Sequence, residues 1–256
     1  IMQTALRLAT TAATQQQLPK LKYYYLDKRV KGECIRLALV VGGMPFEDIR
    51  CSYEEVAELR AQGRLPFSQV PALQIGDDPT LHGQSQALLR WAGRMGGLYP
   101  VEHQLRIDAV TDTVVELYEH VVKVGYGSAM TRHPQTGRPM VQLSDFQRFE
   151  VARNCGEVLF PTRFRQLEKQ VLVEQSSTSD DQREPPSQYF CGSQLTIADL
   201  SLYVLGSAIL DGAWEGNGVQ PEVLDDCPKL QNIIRMVGEH PAVKEWNAAH
   251  PCSWFG

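Results

Sequence analysis

Short apolar runs alternate with segments of helical period through the first third of the chain. Leu-Lys-Tyr-Tyr-Tyr-Leu, residues 21–26, is short and aromatic-rich, which predicts a strand. Residues 33–43 place Ile35 and Leu39 on one helical face and close on Gly42–Gly43, a helix stop. Residues 45–51 read as a second strand. Residues 52–63 read as a helix with Ser52 and Glu55 spaced for a capping box and Gly63 at its end. Residues 70–82 predict two short strands around a Gly-Asp-Asp-Pro turn, and residues 83–97 a helix stopped by glycines. The order β-α-β-α-β-β-α over about 80 residues describes a small α/β unit on a mixed sheet.

From His103 onward the period is helical, with no convincing strand. Ile107, Val110, Val114, Leu117 and Val121 recur at spacings of three and four. Residues 144–175 predict one long helix kinked at Pro161. Residues 176–188 predict a polar loop, and residues 195–210 an apolar helix opened by a reciprocal Thr196–Asp199 cap. Residues 228–241 and 242–251 predict two closing helices. The reading is an α/β domain over 20–96 and an all-helical domain over 103–256, joined near 96–102. Residues 1–19 contain no acid and are rich in Thr, Ala and Gln. They read as a disordered tail, with a transit peptide as the alternative; Ile1 before Met2 reads as a cloning scar.

Composition narrows the function classes. With 43% hydrophobic and 21% charged residues over 256 positions, the chain has the make-up of a soluble globular protein. A net charge of −5 and the lack of a basic patch make nucleic acid an unexpected partner. No apolar run reaches the ~18 residues of a membrane span. The six cysteines are dispersed and form no C-x-x-C pair, which fits reduced thiols in a cytoplasmic setting. The six histidines do not cluster, so no metal is expected.

Three short stretches carry candidate chemistry. Val70–Pro71 enters a strand although proline cannot donate to a ladder. It is read either as a cis turn, which frees the Val70 backbone for an extended peptide-like ligand, or as a trans proline opening an edge strand. Gln84 and Ser85 fall at a helix start, where N–H groups favour an anion such as a carboxylate; plain capping is the other reading. Gly83-Gln84-Ser85-Gln86-Ala87 is close to the G-x-S-x-G nucleophile elbow but lacks a buried strand before it. Neither G-x-G-x-x-G after a strand nor G-x-x-x-x-G-K-[ST] occurs, so nucleotide binding has no support. Along residues 21–26, Leu21, Tyr23 and Tyr25 share one face and Lys22, Tyr24 and Leu26 the other.

The order Y-Y-L-D-K-R-V-K-G-E-C-I-R, L-P-F-S-Q-V-P-A-L, L-H-G-Q-S-Q-A, then a helical half with L-T-I-A-D, resembles a cytosolic glutathione transferase. Among these it is most similar to the Tyr-type classes and, within them, the sigma class. The resemblance runs from about Lys20 to Pro251. It implies a thioredoxin-like N-terminal domain that binds glutathione as cosubstrate and an all-α C-terminal domain that binds a hydrophobic electrophile, as in detoxification. Tyr-type members carry a tyrosine eight residues before the Glu of E-x-x-R, which here is Tyr25, leaving Tyr23 and Tyr24 as packing residues. The resemblance further implies that Val70 presents its backbone to the cysteinyl part before a cis Pro71, and that Gln69 lies beside the peptide. Gln84 and Ser85 would hold the γ-glutamyl end, and Arg60 the glycyl carboxylate. Asp108 would reach the neighbouring subunit's site in a homodimer. The chain departs from the pattern at Val56, where sigma-like members have Trp, at extra residues near 61–63, and at Gly83, inserted between His82 and Gln84. These departures touch the ends of the peptide site and leave glutathione and a larger glutathione-derived thiol as alternatives.

The chemistry is of the right size. A thiol of pKa about 8.5 is only a few per cent ionised at pH 7, and lowering it by about two units needs about 2.7 kcal/mol. One hydrogen bond from a tyrosine to the thiolate supplies about 1.5–3 kcal/mol. Lys31 and Arg29 read either as added positive potential or as solvated surface charge. Cys34 is the rival nucleophile, with a buried core thiol as its other reading. Tyr118, Val122, Tyr126 and Trp214 are candidates for the electrophile pocket. The rival functions are a glutathione-dependent isomerase, like the prostaglandin-making sigma members, and a non-catalytic, lens-crystallin-like member.

Overall fold

The computed structural model describes residues 20–126, 143–171, 188–251 and 254, and only the backbone over 122–126. The N-terminal half runs β1 (Leu21–Leu26), α1 (Glu33–Val41), β2 (Phe46–Cys51), α2 (Tyr53–Ala61), β3 (Ala72–Ile75), β4 (Leu81–Gly83) and α3 (Ser85–Met95). The sheet order is β2-β1-β3-β4, with β1 parallel to β2 and antiparallel to β3, and β3 antiparallel to β4. A parallel pair needs a crossover, which α1 provides; the two antiparallel strands need only the turn between them. The mixed sheet expected from the sequence is present.

The strand period sorts the tyrosines as expected. Leu21, Tyr23 and Tyr25 enter the main core with Cys34, Ile35 and Leu37 of α1 and Leu88 and Leu89 of α3. Tyr24 enters a smaller cluster on the other face with Cys51, Val56, Leu65, Ala72 and Leu81. At the start of α2 the Glu55 N–H donates to Ser52 Oγ (3.1 Å) and the Ser52 N–H to Glu55 (2.7 Å), completing the capping box.

The helical half contains α4 (Gln104–Tyr126), α5 (Asp145–Asn154), α6 (Phe160–Glu168), α7 (Ile197–Leu210), α8 (Pro228–Glu239) and α9 (Pro241–Ala249). Helix α7 is buried along nearly its whole length and packs on α1, α4 and α8. At its start Asp199 accepts from the Thr196 N–H (2.7 Å), the Thr196 hydroxyl (2.7 Å) and the Phe190 N–H (2.8 Å). Burial pushes the Asp199 carboxyl up to about 6, against those three donors.

One expectation is corrected. The run from residue 144 is not a single helix kinked at Pro161, because a π segment, Cys155–Leu159, separates α5 from α6 and Pro161 lies in the first turn of α6. Proline has no N–H for the carbonyl four residues back, and its ring crowds that carbonyl. The wider π turn absorbs this, with the Phe160 N–H reaching Cys155 O. A glycine is needed there: a Cβ on Gly156 would lie 1.9 Å from the Gly218 carbonyl oxygen. The predicted tail 1–19 and nearly all of the predicted loop 176–188 lie outside the described residues, as does the stretch after Val171 of the predicted long helix.

Candidate functional site

A cavity of about 120 Å³ opens beside the C-terminal end of β1. Tyr25 forms one wall. Gln69, Val70 and Pro71 form a second from the segment entering β3, and Gln84 and Ser85 a third where α3 begins. Three stretches 13 or more residues apart in sequence therefore meet at one place. The Val70–Pro71 peptide is cis. Ser85 is the first residue of α3, so free N–H groups of that turn lie beside its hydroxyl. Gln84 (φ 75°) and Ser68 (φ 55°) occupy the left-handed region although neither is glycine, and such backbone gathers where a ligand site demands it.

Tyr25 is only 6% exposed. Loss of hydration raises its pKa well above the ordinary tyrosine value, so at neutral pH the group is a phenol and a proton donor. The Gly32 backbone and the Arg36 guanidinium, which lies 5.3 Å from the ring centroid, both oppose that rise. Arg36 is fully buried, with Nε 2.8 Å from Asp48, Nη1 3.2 Å from Glu33 and Nη2 3.1 Å from the Leu26 carbonyl.

Five of the seven expected site residues, Tyr25, Gln69, Val70, Gln84 and Ser85, line the cavity. Arg60 and Asp108 do not. Arg60 donates from Nε to the Ser68 carbonyl (2.8 Å), bracing the loop before Gln69. Asp108 accepts from Arg90 Nε (2.7 Å) and the Tyr99 hydroxyl (2.9 Å) within the same chain.

Lys31 does line the cavity, and it pairs with Glu119 of α4. Arg29 turns away, donating to Asn247 (2.8 Å) and lying 4.4 Å over the Trp254 ring. Phe67 also lines the cavity while remaining 55% exposed, a role the sequence reading did not assign. The signal was the inserted Gly83, since a Cβ there would sit 3.0 Å from the Phe67 ring.

Cys34 is buried, and its thiol is pushed up to about 12, too high for a nucleophile at neutral pH. Ser85 follows a three-residue strand at the sheet edge, not the buried strand of a nucleophile elbow. Tyr118 and Trp214, candidates for the electrophile pocket, are packed edge to face at 5.1 Å and are 2% and 1% exposed. The side chains of Val122 and Tyr126 lie outside the described residues. Among the described residues no cluster of His, Cys, Asp or Glu could hold a metal ion, and no helix is long and apolar enough to cross a membrane.

The family model "Glutathione S-transferase, C-terminal domain" matches residues 147–250. The chain spans about half the length of the first curated relatives it matches. It is 28% identical to S-crystallin SL18 of Nototodarus sloanii over 54% of this chain and 42% of that protein. It is 33% identical to a glutathione S-transferase of Anopheles gambiae over 43% of this chain and 53% of that one. The fold is that of the solved structure titled "C- Orthorombic NaGST1", with a TM-score of 0.70 over 93% of this chain and 100% of that one at 21% identity.

Proposed function

We propose that this chain, similar to glutathione transferases in its C-terminal half and in its fold, is a Tyr-type, sigma-like enzyme that ionises the thiol of glutathione, or of a glutathione-derived peptide, and adds it to a hydrophobic electrophile. The observation that carries this is the convergence of Tyr25, Val70 and Gln84–Ser85 on one cavity. The Tyr25 hydroxyl donates to the sulfur and stabilises the thiolate over the thiol. The Val70 backbone pairs with the cysteinyl residue, Gln84 and Ser85 hold the γ-glutamyl carboxylate at the start of α3, and Lys31 adds positive potential. Arg60 and Asp108 act less directly: Arg60 by bracing the Ser68 loop, and Asp108 from a second subunit. The setting is cytoplasmic.

The S-crystallin match favours a second reading, a structural member without catalysis. Retention on immobilised glutathione, followed by an electrophile-conjugation assay, separates the two. Retention with conjugation supports the transferase, and failure of both removes it. Product analysis distinguishes the isomerase variant, which consumes no thiol.

Ser85→Ala is expected to raise KM for the thiol more than it lowers kcat, because its hydroxyl contacts the carboxylate in ground and transition states alike. An unchanged KM would remove Ser85 from the site. A C2 homodimer is expected, with Asp108 making the same contact twice. Light scattering at micromolar concentration should give twice 28.7 kDa, and a monomer mass would rule the contact out.

A further inference from the structure

Tyr23 does more than pack. Its hydroxyl is buried and donates to the Gly32 carbonyl at 2.9 Å. That carbonyl also accepts the Ile35 N–H (3.2 Å) and the Arg36 N–H (3.3 Å), the bonds that start α1. On its other side, Gly32 lies against the Tyr25 ring. Gly32 has ordinary right-handed backbone angles, so glycine is not required there for its φ. It is required for space: a Cβ would lie 2.4 Å from two atoms of the Tyr25 ring and 2.7 Å from the Tyr23 oxygen. The two tyrosines, on one face of β1 with centroids 6.2 Å apart, thus grip one residue of the following loop from both sides.

We propose that Tyr23 is a positioning residue: by tethering Gly32 to β1 it holds the Gly32 backbone against the Tyr25 ring and so fixes the direction in which the Tyr25 hydroxyl enters the cavity. A ring packed between a fixed backbone and a second ring keeps one orientation, so its hydroxyl is already placed when the sulfur arrives. Without the tether Gly32 is held only by the helix ladder, and the Tyr25 hydroxyl can swing away from an incoming sulfur. The inference rests on the role proposed above for Tyr25. The other ionisable groups facing Tyr25 are Glu33, Cys34 and Arg36 of α1 and Tyr118 of α4, with Lys31 across the cavity. None of them is altered by the test.

The test is the ultraviolet absorbance of thiolate in the full chain saturated with glutathione, titrated with pH. In Tyr23→Phe the apparent pKa of the bound thiol is expected to rise by about 0.5–1 unit. kcat/KM should fall about 3- to 10-fold near pH 6.5 and approach the unmodified value near pH 9, where the thiol ionises unaided. Gly32→Ala, which pushes on the Tyr25 ring, should shift the thiol in the same direction. Tyr24→Phe, on the opposite face, should leave it unchanged. A purely structural Tyr23 would lower Tm without moving the thiol, and an unmoved thiol pKa in Tyr23→Phe overturns the proposal whatever happens to Tm. If the unmodified protein shows no bound thiolate at neutral pH, the role of Tyr25 is itself wrong, and the positioning role falls with it.

Discussion

Tyr25→Phe is expected to fold like the unmodified chain and to lower kcat/KM for conjugation by about 10- to 100-fold at pH 7. The change removes one oxygen and keeps a ring that packs against Tyr23 and lies 5.3 Å from the Arg36 guanidinium. The lost interaction is one charge-assisted hydrogen bond of about 1.5–3 kcal/mol, and each ~1.4 kcal/mol is tenfold in rate. The sign of the pH dependence follows from which group ionises. Burial raises the Tyr25 pKa, so the hydroxyl remains a donor across the working range and does not itself titrate there. The titrating group is the bound thiol, whose pKa returns toward about 8.5 when the donor is lost. The defect should therefore be largest at low pH and shrink toward about pH 9. Affinity for an S-alkyl glutathione, which has no ionisable sulfur, should barely change. Full activity of Tyr25→Phe at about pH 6.5 with loss in Cys34→Ser would reverse the assignment. The buried Cys34 thiol, pushed up to about 12, points to the opposite outcome.

Arg36→Leu is expected to produce the largest loss of stability among single changes near the site. Arg36 is fully buried and joins Glu33, Asp48 and the Leu26 and Lys28 carbonyls, tying the start of α1 to β2 and to the end of β1. Removing the cation leaves Glu33, itself 1% exposed, with only the Trp246 N–H (2.9 Å), while Asp48 keeps Arg50 (2.8 Å). Breaking a buried pair from one side costs about 3–5 kcal/mol, because the charge left behind, here Glu33, has neither water nor a counter-ion. In a chain of this size that lowers Tm by roughly 6–20 °C. Arg235, paired with Glu239 at 2.7 Å but with both side chains more than half exposed, is the contrast. Surface pairs of that kind contribute about 0.3–0.5 kcal/mol, so Arg235→Ala should barely move the transition. A Tm for Arg36→Leu close to that of Arg235→Ala would show that the Arg36 cluster contributes nothing net.

What the sequence determined by itself is whatever local period and local caps control. Alternation along residues 21–26 put Tyr23 and Tyr25 on one face and Tyr24 on the other, and the structure keeps that division because the two faces of the sheet bury separate cores. Ser52 with Glu55 needs only three residues of chain to satisfy the orphan N–H groups of a helix start, so that cap was legible in advance. The order of motifs also sufficed to group Tyr25, Val70, Gln84 and Ser85, since the fold carries them to the same end of one sheet. Only the tertiary structure decided what depends on distant partners. It turned Arg29 toward Asn247 and left Lys31 at the cavity, although the two lie in one exposed-looking charge run. It engaged Arg60 with the Ser68 carbonyl and Asp108 with Arg90 and Tyr99. It placed a π segment ahead of Pro161, because the close approach of Gly156 to Gly218 cannot be read from either stretch alone. And it joined Tyr23 to Tyr25 through Gly32, a contact that exists because α1 folds back on the strand it follows and brings a backbone without a side chain between two rings.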